Sequence, residues 1–179
     1  MPLSTPQQRH WTLADWDDLP EEAVWCEVVD GNLVVSPPPP QVHQDIGAEL
    51  AIALRDAAPP GWRVRVEYLL PLAEDHVRVP DLVVYRWPLR HPRDDPSNPM
   101  GPADVGLVAE VVSPRSRRTD RFAKPAEYAD AGIGIYWRIE TDPEVRLHAF
   151  VLRGSVYEPA PAGQDAPVPW GRMPITLGG

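Results

Sequence analysis

Two carboxylates interrupt otherwise apolar runs of this chain: Asp81 in Val79-Pro80-Asp81-Leu82-Val83-Val84-Tyr85, and Glu110 in Leu107-Val108-Ala109-Glu110-Val111-Val112. An ionised carboxylate costs several kcal/mol to bury unless it has a partner. Two acids at the ends of neighbouring strands can share a divalent cation, and their hard oxygen donors suit Mg²⁺ or Mn²⁺. Taken alone, either acid is explained equally well as a strand-end cap or an arginine partner.

A single lysine adds weight to the pair. The chain carries 16 arginines and one lysine, Lys124. An exposed charge site accepts either residue, whereas some chemistry accepts only the compact ammonium. Asp120, Lys124 and Tyr128 are four residues apart and share one face of a helix that follows the Glu110 strand. The ammonium can therefore reach back toward Glu110. The duller alternative is an exposed Asp120–Lys124 pair worth a few tenths of a kcal/mol.

Other residues qualify with less force. Glu27, in an apolar strand context, is a third carboxylate for the site or a partner for an arginine. His43 starts a helix one turn before Ile46 and so faces inward, as a site residue or as a satisfied core histidine. Arg115, Arg117, Arg118 and Arg121 cluster beside Lys124. They can hold a phosphate backbone, or they form a solvated loop and helix start. His91 and the arginines of the 86–104 loop invite the same two readings.

The elements that must position these groups are legible as patterns. Residues 11–19 predict a short helix with Thr12 as N-cap and Asp15 at the capping-box position. Strands over 25–29 and 33–36 flank Asp30-Gly31-Asn32, a hairpin signal, and Pro37 to Pro40 stop the second. Residues 41–57 place Val42, Ile46, Leu50, Ala53 and Leu54 at helical spacing. Strict alternation predicts one half-buried strand over 62–70, and a second strand runs over 77–85. Residues 86–104 carry five prolines and no periodicity, so they read as a loop. Residues 105–112 form a central strand, 119–131 a helix ended by Gly132, and 135–139 and 145–152 two more strands. Pro125 directly follows Lys124 and sets the lysine at a bend rather than on a regular turn. Beyond Glu158 the chain is rich in proline and glycine, apart from a strand near Ile175. The expectation is an α/β fold of mixed type, a central mixed sheet flanked by helices, with one domain over 1–157 and an extension over 158–179.

Composition limits the classes of function. The chain has 179 residues, 43% of them apolar, which suits one globular domain. No apolar run approaches the roughly 20 residues needed to cross a bilayer, so no membrane partner is expected. There is no secretory pattern at the start, and the one cysteine, Cys26, excludes an internal disulfide and a multi-thiolate zinc site. These features fit a cytoplasmic protein. The net charge of −9 opposes a duplex-binding role, because such binding draws affinity from neutralised phosphates. A local basic patch on an acidic body would reconcile the two.

The motifs also carry a resemblance. Glu27-Val-Val-Asp-Gly31, the proline run followed by His43, VPDLVVY, AEVVSP and TDRFAKPAEYADAGI with YWRIE occur in the order that marks the Uma-two family, over residues 11 to 152. That family is similar to restriction endonucleases in its Pro-Asp, Asp-or-Glu and Lys motif. The resemblance implies a restriction-endonuclease-like core in which Asp81 and Glu110 bind Mg²⁺ (or Mn²⁺), while Lys124 orients water or stabilises the transition state. It favours Glu27 and His43 as further site residues. In the usual motif the lysine stands two residues after the acid, where this chain has Val112; the family takes it from the next helix, as Lys124 matches. Where relatives commonly carry a glutamate before Tyr-Trp, this chain has Ile135. The implied activity is endonucleolytic cleavage of nucleic acid, DNA ahead of RNA. A catalytically silent module of the same fold, binding nucleic acid or protein, is the alternative, and hydrolysis of another phosphate ester is a third reading. Homodimerisation stays open.

Overall fold

The structure is a computed structural model that describes residues 9–19, 25–88, 100–114, 116–161 and 165–177. A short 3-10 helix, Leu13–Asp18, opens it, and Asp15 Oδ2 accepts from both the backbone N and the hydroxyl of Thr12 at 2.9 and 2.8 Å, as the capping box predicts. Asp30 and Gly31 adopt φ of 50° and 74°, the left-handed pair that a tight two-residue turn requires. They join β1 (Cys26–Val29) to β2 (Asn32–Val35). The prolines that follow lead into α1 (Gln41–Ala57), which buries Ile46, Leu50, Ala51 and Leu54 along one face.

The two long strands expected over 62–70 and 77–85 are each broken in two. The first becomes β3 (Trp62–Val66) and β4 (Leu70–Ala73); the second becomes β5 (His76–Arg78) and β6 (Leu82–Arg86). Glu67, at φ 46°, turns the chain out of β3, and Pro80 has no N–H to continue a ladder between β5 and β6. The breaks matter for topology, because β4 and β5 join β1 and β2 in a four-stranded sheet ordered β2-β1-β5-β4. Strands β3 and β6 belong to the main sheet instead.

That main sheet is completed by β7 (Val105–Val111), β8 (Ile135–Glu140), β9 (Arg146–Arg153) and β10 (Val156–Pro159) in the order β10-β9-β8-β7-β6-β3. Strands β7 and β8 are parallel and the other neighbours antiparallel, so the sheet is mixed as expected. The parallel pair needs a crossover, which α2 (Lys124–Asp130) supplies after a π-helical turn, Thr119–Ala123. The regular helix expected over 119–131 is thus wound differently just before Lys124.

Helix α1 covers one face of the sheet, where Ile46, Leu50 and Leu54 meet Leu107, Ala109, Val111, Trp137 and Ile139. Each such fully buried side chain contributes about 1.5–3 kcal/mol. On the other face Val83, Val108 and Tyr136 pack with Tyr128 and Ile133. Strand alternation sends Glu110 to the second face with Val108, under α2.

The strand expected near Ile175 is β12 (Gly171–Pro174), paired with β11 (Asp165–Val168). Ala166, Val168 and Met173 from this hairpin are buried in the α1-side core. No helix among the described residues is long and apolar enough to cross a membrane. The part of the expected 86–104 loop from 89 to 99 lies outside the described residues.

Candidate active site

Asp81 sits one residue before β6, and the register pairs Leu82 with Ala109. The next step along the antiparallel ladder therefore sets Asp81 opposite Glu110. Asp81 Oδ2 accepts a hydrogen bond from the Val111 backbone N at 2.7 Å and lies 3.1 Å from His43 Nε2. The two acids singled out from sequence are neighbours across adjacent strands.

Lys124 joins them. Its Nζ donates to Glu110 Oε2 at 3.0 Å, and it lies 3.6 Å from Glu27 Oε1 and 3.5 Å from Asp120 Oδ1. Glu110, Asp120 and Lys124 are all buried, so the exposed Asp120–Lys124 pair is not what forms. Tyr128, one turn beyond Lys124, donates its hydroxyl to Glu110 Oε1 at 2.6 Å. Both oxygens of Glu110 are thus held by α2.

Glu27 pairs with an arginine and also lies in the same wall as Lys124. Its Oε2 accepts from Arg78 Nη1 at 2.8 Å and its Oε1 from the Val79 backbone N at 3.1 Å, while it also faces Lys124. Arg78 is itself clamped by Glu127, through bonds of 2.7 and 2.6 Å. Inward-facing His43 comes from the first turn of α1, on the face that carries Ile46.

Tyr128 apart, these side chains line a cavity of about 970 Å³, whose wall also includes Trp25, Glu67 and Pro37 to Pro40. A second cavity of about 520 Å³, walled by Val145, Leu147, Ile175 and Leu177 among others, holds no comparable cluster.

The electrostatics follow from burial and crowding. Burial pushes the Glu110 carboxyl well above its ordinary value; Lys124 pulls it back, and Asp81 and Asp120 push it further up. Burial likewise raises Asp120. For Lys124, burial acts downward, but Glu110, Glu27, Asp120 and Asp81 together outweigh it and keep the ammonium charged. For His43, burial acts downward, but Asp81, Asp120 and the Val111 backbone together outweigh it and leave the imidazole above its ordinary value.

The donor set can be tested against the divalent cation expected here. Among the described residues no group of three or more His, Cys, Asp and Glu side chains forms a metal cage. Mg²⁺ does not need one: it binds through one or two carboxylates and keeps water or substrate oxygens. Carboxylates outnumber permanent cations in this wall, where Glu27, Asp81, Glu110, Asp120 and Glu127 gather around Lys124 and Arg78. Buried Asp120 Oδ1 has no hydrogen bond, with Lys124 Nζ 3.5 Å away. An added positive charge would relieve this crowding, so the residues fit the ion.

The proposed phosphate-binding arginines are differently placed. Arg121 makes a two-pronged contact with Glu140 at 3.0 and 2.9 Å, and Arg117 is paired with Asp142. Arg118 is exposed and has no ion pair among the described residues. Arg115 and His91 lie outside the described residues. Sequence reasoning gave no role to Arg78, Glu127 or Tyr128. The Asp120-Lys124-Tyr128 spacing was the signal for the last of these.

The fold is of mixed α/β type, a six-stranded mixed sheet with a helix on each face. A solved structure described as a putative nuclease belonging to DUF820, from Anabaena variabilis, superposes with a TM-score of 0.68 at 23% identity, over 89% of this chain and 90% of that one. The family model Uma2, described as "Putative restriction endonuclease", matches residues 13–170, and the chain belongs to that family. A comparison with curated proteins gives no match.

Proposed function

We propose that this protein is a metal-dependent endonuclease that hydrolyses nucleic-acid phosphodiester bonds, with DNA favoured over RNA and Mg²⁺ (or Mn²⁺) as the ion. The observation that carries the reading is the buried Lys124–Glu110 contact of 3.0 Å, in a cavity that Asp81 shares. Membership of a family described as restriction endonucleases supports the choice of DNA.

Asp81 and Glu110 would hold the ion, which when bound activates water and offsets charge on the phosphoryl oxygens. Lys124 presents a fixed positive charge to the water or to the developing phosphate charge. Tyr128 holds Glu110 in one orientation, and His43 and the Val111 N–H do the same for Asp81. The Arg78–Glu127 clamp fixes Glu27 beside the ammonium. Arg118 is free to meet a phosphate, whereas Arg117 and Arg121 would first have to leave their acids.

The test is cleavage of plasmid and single-stranded DNA with Mg²⁺ or Mn²⁺ and with chelator, by wild type and Lys124→Ala. Loss of one transition-state charge lowers the rate about 10²–10³-fold. Equal cleavage by both proteins, or cleavage in chelator, overturns the assignment. Calorimetry with Mn²⁺ adds a readout apart from activity: binding should vanish in Asp81→Asn. A wild type that neither binds metal nor cleaves is the silent module.

A further inference from the structure

Several arginines are spoken for, Arg78, Arg117, Arg121 and Arg138 among them, each in an ion pair. Of those with no ion pair among the described residues, three lie along one sheet edge, Arg63 and Arg65 on one face and Arg86 on the other. Arg63 and Arg65 stand on β3, the edge strand of the main sheet, and Arg86 stands opposite Trp62 at the end of β6. All three are exposed.

Each guanidinium lies over an aromatic ring instead of an acid. Arg63 Cζ is 4.4 Å from the centroid of Trp87, Arg86 Cζ is 4.7 Å from that of Trp62, and Arg65 Cζ is 5.6 Å from that of Tyr68. Arg65 Nε also donates to the Tyr85 hydroxyl at 3.3 Å. The rings hold the guanidiniums in place without neutralising them. Trp87 is itself exposed.

The ledge leads to the candidate site. Strand β3 ends at Val66, and the next residue, Glu67, lines the cavity and donates its N–H to the Asp81 carbonyl at 3.0 Å. From Trp62 to Val66 the strand covers about 17 Å, so a chain lying along it arrives beside Asp81.

We propose that the β3 edge, with Arg63, Arg65 and Arg86 interleaved with Trp62, Tyr68 and Trp87, is a docking track for single-stranded nucleic acid that feeds the Asp81 cavity. This deepens the nuclease reading and rests on it for the direction of feeding. Unpaired cations attract phosphates, and aromatic or guanidinium planes accept unstacked bases, which a duplex keeps hidden. The track also answers the charge problem. An acidic body with a local cationic strip can hold a strand there without binding polyanions all over its surface.

The test measures binding in chelator, so that cleavage does not enter. Fluorescence anisotropy of a labelled oligothymidylate is followed with wild type, with the triple variant Arg63→Ala/Arg65→Ala/Arg86→Ala, and with Arg55→Ala/Arg153→Ala/Arg172→Ala, which removes equal charge elsewhere. The ledge variant should bind about tenfold more weakly or worse, and the slope of log K against log salt should fall by about 2 for three lost contacts. The control should bind as wild type does. Trp87→Ala, which removes a ring and no charge, should weaken binding with an unchanged slope. Circular dichroism melting checks that each variant folds.

Wild-type affinity in the ledge variant, equal weakening in the control, or no binding by wild type overturns the proposal. So does a duplex of the same length bound as tightly as the single strand, or displacement of the oligonucleotide by poly-glutamate at equal charge. The nuclease reading is judged separately by adding Mg²⁺. A strand that binds through the ledge and stays intact sinks catalysis alone; cleavage with unchanged binding by the ledge variant sinks the track alone.

Discussion

Lys124 Nζ stands 3.0 Å from Glu110 Oε2, with both side chains buried and with Asp81 and Asp120 close enough to raise the carboxyl's proton affinity. Lys124→Met keeps most of the volume and removes the charge. Breaking a buried pair from one side costs about 3–5 kcal/mol, but Glu110 can neutralise itself by taking a proton. Its folded value lies above the ordinary 4.5. The variant therefore keeps most stability below that value and loses it as pH rises through the raised one. Urea denaturation at several pH values checks this; a loss independent of pH would contradict it.

His43 gives a pH effect in the metal-free wild type. Burial lowers its value, but Asp81 together with Asp120 and the Val111 backbone raises it above 6.5. A raised histidine contributes stability fully below its unfolded value, and that contribution disappears as pH rises through the folded value. The difference in melting temperature between wild type and His43→Gln, measured in chelator, should be largest near pH 6 and below and shrink as pH rises through the folded value. A difference that grows with pH would mean that His43 is held neutral.

Asp81, Glu110 and Lys124 line one cavity, and their juxtaposition was legible because burial of a charge is visible in sequence: one acid within an apolar run, one lysine within an arginine-rich chain. The pattern reading also placed α1, the first hairpin and β7 closely. Alternation failed at Glu67, and the apolar content of 77–85 hid the break at Pro80; at both points the chain leaves one sheet for another. Alternation reports only which face a side chain takes, and both halves of the strand broken at Glu67 kept the same rhythm. Arg78 was missed for a related reason. Its two acid partners, Glu27 and Glu127, are 51 and 49 residues away, and no local spacing records such a clamp. β10 was missed because Val156–Pro159 is an exposed edge strand with little apolar content.

Tyr128→Phe removes a single oxygen from a fully buried ring that bonds Glu110 at 2.6 Å. A hydrogen bond to a charged group is worth about 1.5–3 kcal/mol, and the variant should lose stability in that range. With one of its two anchors gone, Glu110 should also bind Mn²⁺ more weakly, read by calorimetry. A destabilised protein with unchanged Mn²⁺ affinity would show that Tyr128 supports the core and leaves the metal site alone.

The last hairpin decides where the folded unit ends. Ala166, Val168 and Met173 are buried against the α1-side core, and Trp137 Nε1 donates to the Pro167 carbonyl at 3.0 Å. Gly106 on β7 allows this closeness, since a Cβ there would meet Pro169 at 2.7 Å and Trp62 at 2.8 Å. Gly106→Ala should therefore force the hairpin away or strain the sheet, costing about 1–3 kcal/mol. Removing residues 160–179 should have the larger effect, because it strips apolar cover from Trp137 and leaves its indole N–H without its carbonyl. The expected signs are a lower denaturation midpoint and a red-shifted tryptophan emission. A truncated chain that unfolds at the wild-type midpoint would make residues 158–179 a separable extension, as the composition of that segment suggests.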